Sequence, residues 1–153
     1  KLVEDNASNV TPAARGGLNS GFVEFTAPGA ETTDAQITAI TCTTAACNAN
    51  AVAQLGDNTG AGPGTQNVRS VTSNGGNGAI SIEFTNRVAV DGSDVLALIP
   101  TANNAVLVAG TRPNGPIAWE CFASGKAAVG VADSANAPVA PTLSASFAPA
   151  TCR

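Results

Sequence analysis

The four cysteines, Cys42, Cys47, Cys121 and Cys152, are the side chains in this chain best equipped for chemistry. Thiols either ligate a soft metal or pair as disulfides. No histidine stands among the 153 residues. Cys42 and Cys47 are also too far apart for a tight Cys-x-x-Cys, so a zinc site is disfavoured. An even set of cysteines is then expected to form disulfides in an oxidising compartment. Four cysteines allow three connectivities, and the residues alone leave them open.

Other reactive constellations are weak. Without histidine, a serine or cysteine nucleophile lacks its usual activating base. Glu24, Glu83 and Glu120 are the candidate paired carboxylates, but no spacing brings two of them together. Glu83 and Glu120 read as solvent-facing strand positions. Asp91 and Asp94, with Ser93 between them, offer oxygens to a cation, but calcium takes six to eight. A solvated turn is the expectation there. No phosphate-cradling glycine motif opens a helix. We expect no enzyme, no cofactor and no metal.

Composition sets the elements that must position these residues. Hydrophobic residues make up 44% of the chain, but they are mostly Ala and Val, with five Phe, one Trp, no Tyr and no Met. One domain with a modest core is the expectation. Small side chains each bury little area, at roughly 25 cal/mol per Å², so covalent help for the core is plausible. The formal charge is −4, and Arg15, Arg69, Arg87, Arg112 and Arg153 are scattered. Nucleic-acid binding, which needs clustered positive charge, is disfavoured. No apolar stretch is long enough to span a membrane.

Along the chain, residues 1–9 read as the end of a helix, stopped by Thr11-Pro12 and Gly16-Gly17. Residues 10–65 read as a long irregular connection. Within it, Ile37 to Thr41 suits a short strand, and Ala49 to Leu55 a short helix. Phe22-Val23-Glu24-Phe25 is too short to assign. From residue 66 the pattern sharpens. Asn67 to Thr72 is strand-like, and Asn74-Gly75-Gly76-Asn77 is a hairpin turn whose Gly and Asn supply positive φ. Ile80, Ile82 and Phe84 alternate with Ser81, Glu83 and Thr85, the pattern of a half-buried antiparallel strand. Val95 to Ile99 is a more buried strand stopped by Pro100. Ala105 to Ala109 suits a short strand or a helical turn. Ile117, Trp119 and Cys121 share one face of the last strand. The expected core is Ile80, Ile82, Phe84, Leu96, Leu98, Ile117 and Trp119.

Several segments together resemble the type IV pilins, specifically the head of a type IVa major pilin. They are Thr65-Gln66-Asn67-Val68, Gly78-Ala79-Ile80-Ser81-Ile82, Leu98-Ile99-Pro100, Gly115-Pro116-Ile117-Ala118-Trp119-Glu120-Cys121, and Pro149-Ala150-Thr151-Cys152-Arg153. Val3-Glu4-Asp5-Asn6-Ala7 is similar to the end of that family's long first helix. The resemblance covers residues 66–153, with residues 10–65 as the variable helix-to-sheet loop.

The resemblance implies an α+β fold, in which the remnant of a long amino-terminal helix packs on a four-stranded antiparallel sheet spanning residues 66–121. It also implies a Cys121–Cys152 disulfide bounding a carboxy-terminal loop, and leaves Cys42 and Cys47 as a second pair. In the loop-entropy picture the two bridges would contribute ~3.5 and ~2 kcal/mol. Lys126 and Asp133 are the charged side chains between Cys121 and Cys152, and this loop is the candidate surface for receptor or subunit contacts.

The implied role is a structural subunit of a surface fibre for adhesion, twitching motility and DNA uptake. Its partners would be other subunits in a helical filament, the assembly machinery, and a host receptor or phage. The family's apolar helix segment is absent from this sequence. It would be the only membrane contact, holding an inner-membrane pool before assembly. The alternatives are a minor pilin or tip adhesin, and a secreted disulfide-stabilised binding module. The glycosylation patterns Asn6-Ala7-Ser8 and Asn9-Val10-Thr11 read as incidental.

Overall fold

A computed structural model describes residues 2–8, 18, 23–26, 36–39, 50–56 and 65–153. It begins with helix α1 (Leu2–Ser8). Glu4 and Asp5 lie in its first turn, where acidic side chains suit the helix dipole. Val3 and Ala7, four apart and so on one face, are 3% and 2% exposed. A helix of seven residues is marginal alone. It is held because Val3 and Ala7 join Leu18, Ala102 and Leu107 in one buried cluster, flanked by Ile80, Ala109, Ile117 and Trp119.

The strands are β1 (Val23–Thr26), β2 (Gln36–Ala39), β3 (Asn50–Gln54), β4 (Val68–Asn74), β5 (Ile80–Phe84), β6 (Val95–Ala102), β7 (Ala105–Val106) and β8 (Ile117–Phe122). The four-stranded antiparallel sheet runs β4-β5-β6-β8. β3 extends it along β4, β7 adds a two-residue strand to the end of β6, and β1 and β2 form a separate pair.

Four expectations need correction here. β6 does not stop at Pro100 but runs through it to Ala102, because β8 pairs along its whole second half, Pro100 facing Trp119. The segment around residues 49–55 is a strand over Asn50–Gln54, where a helix was expected. Alanine is the strongest helix former, but intrinsic propensity is small beside tertiary context, and pairing with the open edge of β4 overrides it. Val23–Thr26, too short to assign from sequence, is a strand because Gln36–Ala39 pairs with it. In the hairpin after β4, positive φ falls on Gly78, at 73°, and on none of residues 74–77. The Asn74 side chain accepts the amides of Gly76 and Asn77 and closes the turn without left-handed backbone there. A Cβ on Gly78 would lie 2.6 Å from Val3 Cγ1, so the bare glycine is what lets α1 approach the sheet.

The core is divided between the two sheet faces. Ile80, Ile82 and Phe84 share a face as their alternation requires, with Val71 and Leu96 opposite Ile82, and Leu98 and Cys121 in register with Ile80. Yet all seven expected core residues, Ile80, Ile82, Phe84, Leu96, Leu98, Ile117 and Trp119, are only half-buried. The fully buried cluster of Ala97, Ile99 and Phe122 belongs to the other face, together with Ala79 and Ala132. The physical cause is a difference in cover. Residues 132–139 lie over the second face, where Ala132 joins that cluster and Ser81 exchanges hydrogen bonds with the Val139 backbone at 2.8 and 3.1 Å. On the first face, α1 covers one end, and Ala148 and Cys152 cover the Phe84, Leu96 and Cys121 end. Ile82 and Leu98, between them, join neither cluster. Ser81 and Thr85, expected at a solvent-facing surface, are 2% and 0% exposed.

Candidate functional site

The carboxy-terminal loop is the candidate contact surface, and its geometry starts from its two anchors. Cys121, on β8, and Cys152, in a closing 3-10 turn, form a disulfide with their Cα atoms 4.6 Å apart. Cys152 is 3% exposed, among Ala89, Ala123, Leu143 and Ala148. The Ala123 amide donates to the Cys152 carbonyl at 2.7 Å, a backbone tie beside the covalent one. Cys42 and Cys47 lie outside the described residues.

Lys126 forms a second, polar staple. Its ammonium pairs with Glu120 and donates to the carbonyls of Cys121 at 2.7 Å and Thr151 at 2.5 Å. It also lies 5.0 Å from the centre of the Phe122 ring. With its side chain 8% exposed, Lys126 faces inward and does not supply an open charge for a partner. Sequence reasoning placed it in the right loop but had no signal for its direction. Asp133 is exposed, and its carboxylate accepts the Ala135 amide at 2.9 Å to cap the 3-10 turn Ser134–Asn136. The loop's far part is tied down by Thr142, whose hydroxyl accepts the amides of Asp94 and Val95 at 3.2 Å.

Beside that tie sits a charged cluster that the sequence did not reveal. Arg69 pairs with Glu83 and reaches Asp91 at 3.2 Å, and the Ser70 hydroxyl donates to Glu83 at 2.8 Å. Glu83 is therefore committed within the sheet, where the alternation pattern had it facing solvent. Glu120, placed at the solvent face by the same pattern, is the half-buried partner of Lys126. Asp94 departs most from expectation. It is 1% exposed, and among the described residues its Oδ2 has no hydrogen-bond partner. Burial, and next the charge of Glu83, hold its carboxyl above the usual aspartate range. Asp91, by contrast, stays exposed. Glu24 lies on β1.

Trp119 is half-buried, and its indole N–H donates to Glu4 of α1 at 3.0 Å. It is an anchor between helix and sheet, consistent with its shared face with Ile117. No group of acidic or sulfur ligands among the described residues could hold a metal ion. Likewise, no helix among them is long and apolar enough to cross a membrane.

Among the described residues the arrangement is a stapled loop beside a sheet with turn-lined ends. No curated protein matches the chain. Among solved structures, a crystal structure of a Pseudomonas aeruginosa (strain Pa110594) type IV pilin is similar at 25% identity, with a TM-score of 0.41. That match covers 57% of this chain and 64% of that one. The profile of the family described as Pilin (bacterial filament) matches residues 26–153, which take in the whole sheet from β3 onward and both anchors of the loop. The chain belongs to the Pilin family of bacterial filament proteins.

Proposed function

We propose that this chain is the head of a type IV pilin of the major, polymerising kind, displayed on a surface fibre that serves adhesion and twitching motility. The observation that carries the reading is the family match over residues 26–153, which spans the sheet and the Cys121–Cys152 loop. The order of motifs from Thr65 to Arg153 supports the type IV assignment, as does α1 lying against Ile80, Ile117 and Trp119. Other copies of the chain are then its principal partners. The assembly machinery, a receptor and phage would act on the fibre. DNA uptake has weaker support, because Arg69 and Lys126 are already engaged by carboxylates. A structural filament family also leaves catalysis without a candidate role.

The test is immunogold electron microscopy of the source cells, with antibody raised against this domain. Gold along the whole length of thin surface fibres is the expected result. Gold confined to tips would make the chain a minor pilin or tip adhesin. Antigen free in the medium with bare fibres would overturn the reading in favour of a secreted binding module.

A further inference from the structure

Two apolar features that the fold leaves unused lie at opposite ends of β6. The strand has eight residues, so its ends are about 23 Å apart at roughly 3.3 Å per residue. At the Val95 end, the turn before β6 exposes Val90 to 77%, and the loop exposes Phe147 to 63%. The two flank Ala89 and Ala148, which share one buried cluster and so place both side chains at the same end of the molecule. At the Ala102 end, a cleft of about 250 Å³ is lined mainly by apolar residues, Val106, Leu107, Val108 and Pro113 among them, with polar Asn103, Thr111, Asn114 and Arg112 also in its wall. That volume is ample for a valine side chain.

The charges around the two features complement each other. Asp91 follows Val90 and remains 62% exposed at its side chain even though Arg69 reaches it. Arg112 is exposed and has no ion pair among the described residues. Arg87, also exposed, precedes Val90 on the first end. A neighbouring cleft of about 440 Å³ on the second end carries Glu4 beside Arg112. Asp91 at the first end and Arg112 at the second are opposite in sign, so bringing the ends together can pair them.

We propose that the occupant of the Val106–Val108–Pro113 cleft is Val90 of a second copy of this chain, with Asp91 of that copy paired to Arg112. Two different surfaces meet in such a contact. It is heterologous, and with a rotation that does not close it propagates into an open helical array. The subunits of a filament repeat in one orientation, which is the arrangement this contact needs. Phe147 then lies at the border of the contact and excludes water from it. The inference rests on the fibre-subunit reading, and adds which residues of the head touch.

Full-length pilin carrying Val90→Cys with Val108→Cys tests it, in cells whose fibres are first shown to label with antibody to this domain. Sheared fibres are mildly oxidised and run on a non-reducing gel. The expected result is a ladder of dimers, trimers and larger species from the double variant, with monomer from each single variant. Labelled fibres with no ladder would overturn the contact while leaving the fibre reading intact, whereas absence of labelling on the parent fibres would overturn that reading itself. Dimers from a single variant would indicate a self-complementary contact and also overturn the proposal. Should the cysteine variant assemble no fibres, Asp91→Arg and Arg112→Asp decide. Each alone is expected to lower fibre yield at least fivefold at low salt, and the two together to restore it. Failure of the pair to restore yield, with both variants melting like the parent domain, would overturn the proposal.

Discussion

Asp94 and Lys126 show how differently two charged side chains behave once buried. Asp94 has a carboxyl raised above its ordinary value of 3.8 by burial and by the charge of Glu83. The folded state thus holds the proton more tightly than the unfolded chain does. Its favourable contribution is complete below the unfolded value, and is lost as pH rises through the folded one. Asp94→Asn should remove this loss. Urea midpoints of the variant are expected to equal or exceed the parent's at pH 7, with the advantage shrinking as pH falls toward 4. A variant destabilised by the same amount at every pH would refute the account. Lys126 is the reverse case, a buried cation supplied with three oxygen partners. Lys126→Met keeps the apolar stem, but strands Glu120 and two carbonyls. The expected cost is about 2–3 kcal/mol, read as a lower melting temperature. A change under ~0.5 kcal/mol would mean that solvent replaces those bonds freely.

At the scale of elements, two contacts decide whether helix, sheet and loop form one unit. α1 reaches the sheet through the space left by Gly78. Gly78→Ala would place a methyl against Val3 and Leu18 in a left-handed backbone conformation. The combined strain should cost about 2–3 kcal/mol. Calorimetry checks the size, and loss of the Glu4 contact to Trp119 should appear as a red-shifted tryptophan emission. Cys121 and Cys152 close the loop over a separation of 31 residues. Replacing both by serine should cost about 3.5 kcal/mol, measured by denaturant titration. The loop should then exchange amide hydrogens faster than β6. If the exchange were unaltered, the Lys126 staple and the Thr142 ties would suffice without the disulfide.

For the whole molecule, the half-buried sheet face and the two ends of β6 differ in what they contribute. Ile82 and Leu98 belong to the folding unit. Val90 and Phe147, at 77% and 63% exposure, contribute little to it. Val90→Ser and Phe147→Ser should therefore change the unfolding free energy of the domain by no more than about 0.5 kcal/mol. Val90→Ser should nevertheless lower the recovery of sheared fibres from full-length pilin. A matching fall in domain stability would assign Val90 to the fold and not to assembly.

The sequence by itself located β4, β5, β8 and the first part of β6, because a period of two needs only local alternation of side chains, while the run of β6 through Pro100 to Ala102 needed its pairing with β8. It also determined the order of motifs that places the chain among the pilins. Which cysteine meets Cys121 was open on spacing alone and followed from that resemblance, and the fold joins it to Cys152. Only the tertiary structure decided what covers each face of the sheet. Alternation shows that Ser81 and Ile82 point opposite ways, but not that residues 132–139 return to bury the serine side. Nor does it show that an alanine-rich segment becomes β3, since the edge of β4 supplies the hydrogen bonds that make the choice. The inward turn of Lys126 and the burial of Asp94 were hidden for the same reason. Both depend on partners far along the chain, Thr151 and Thr142, which local sequence does not bring near.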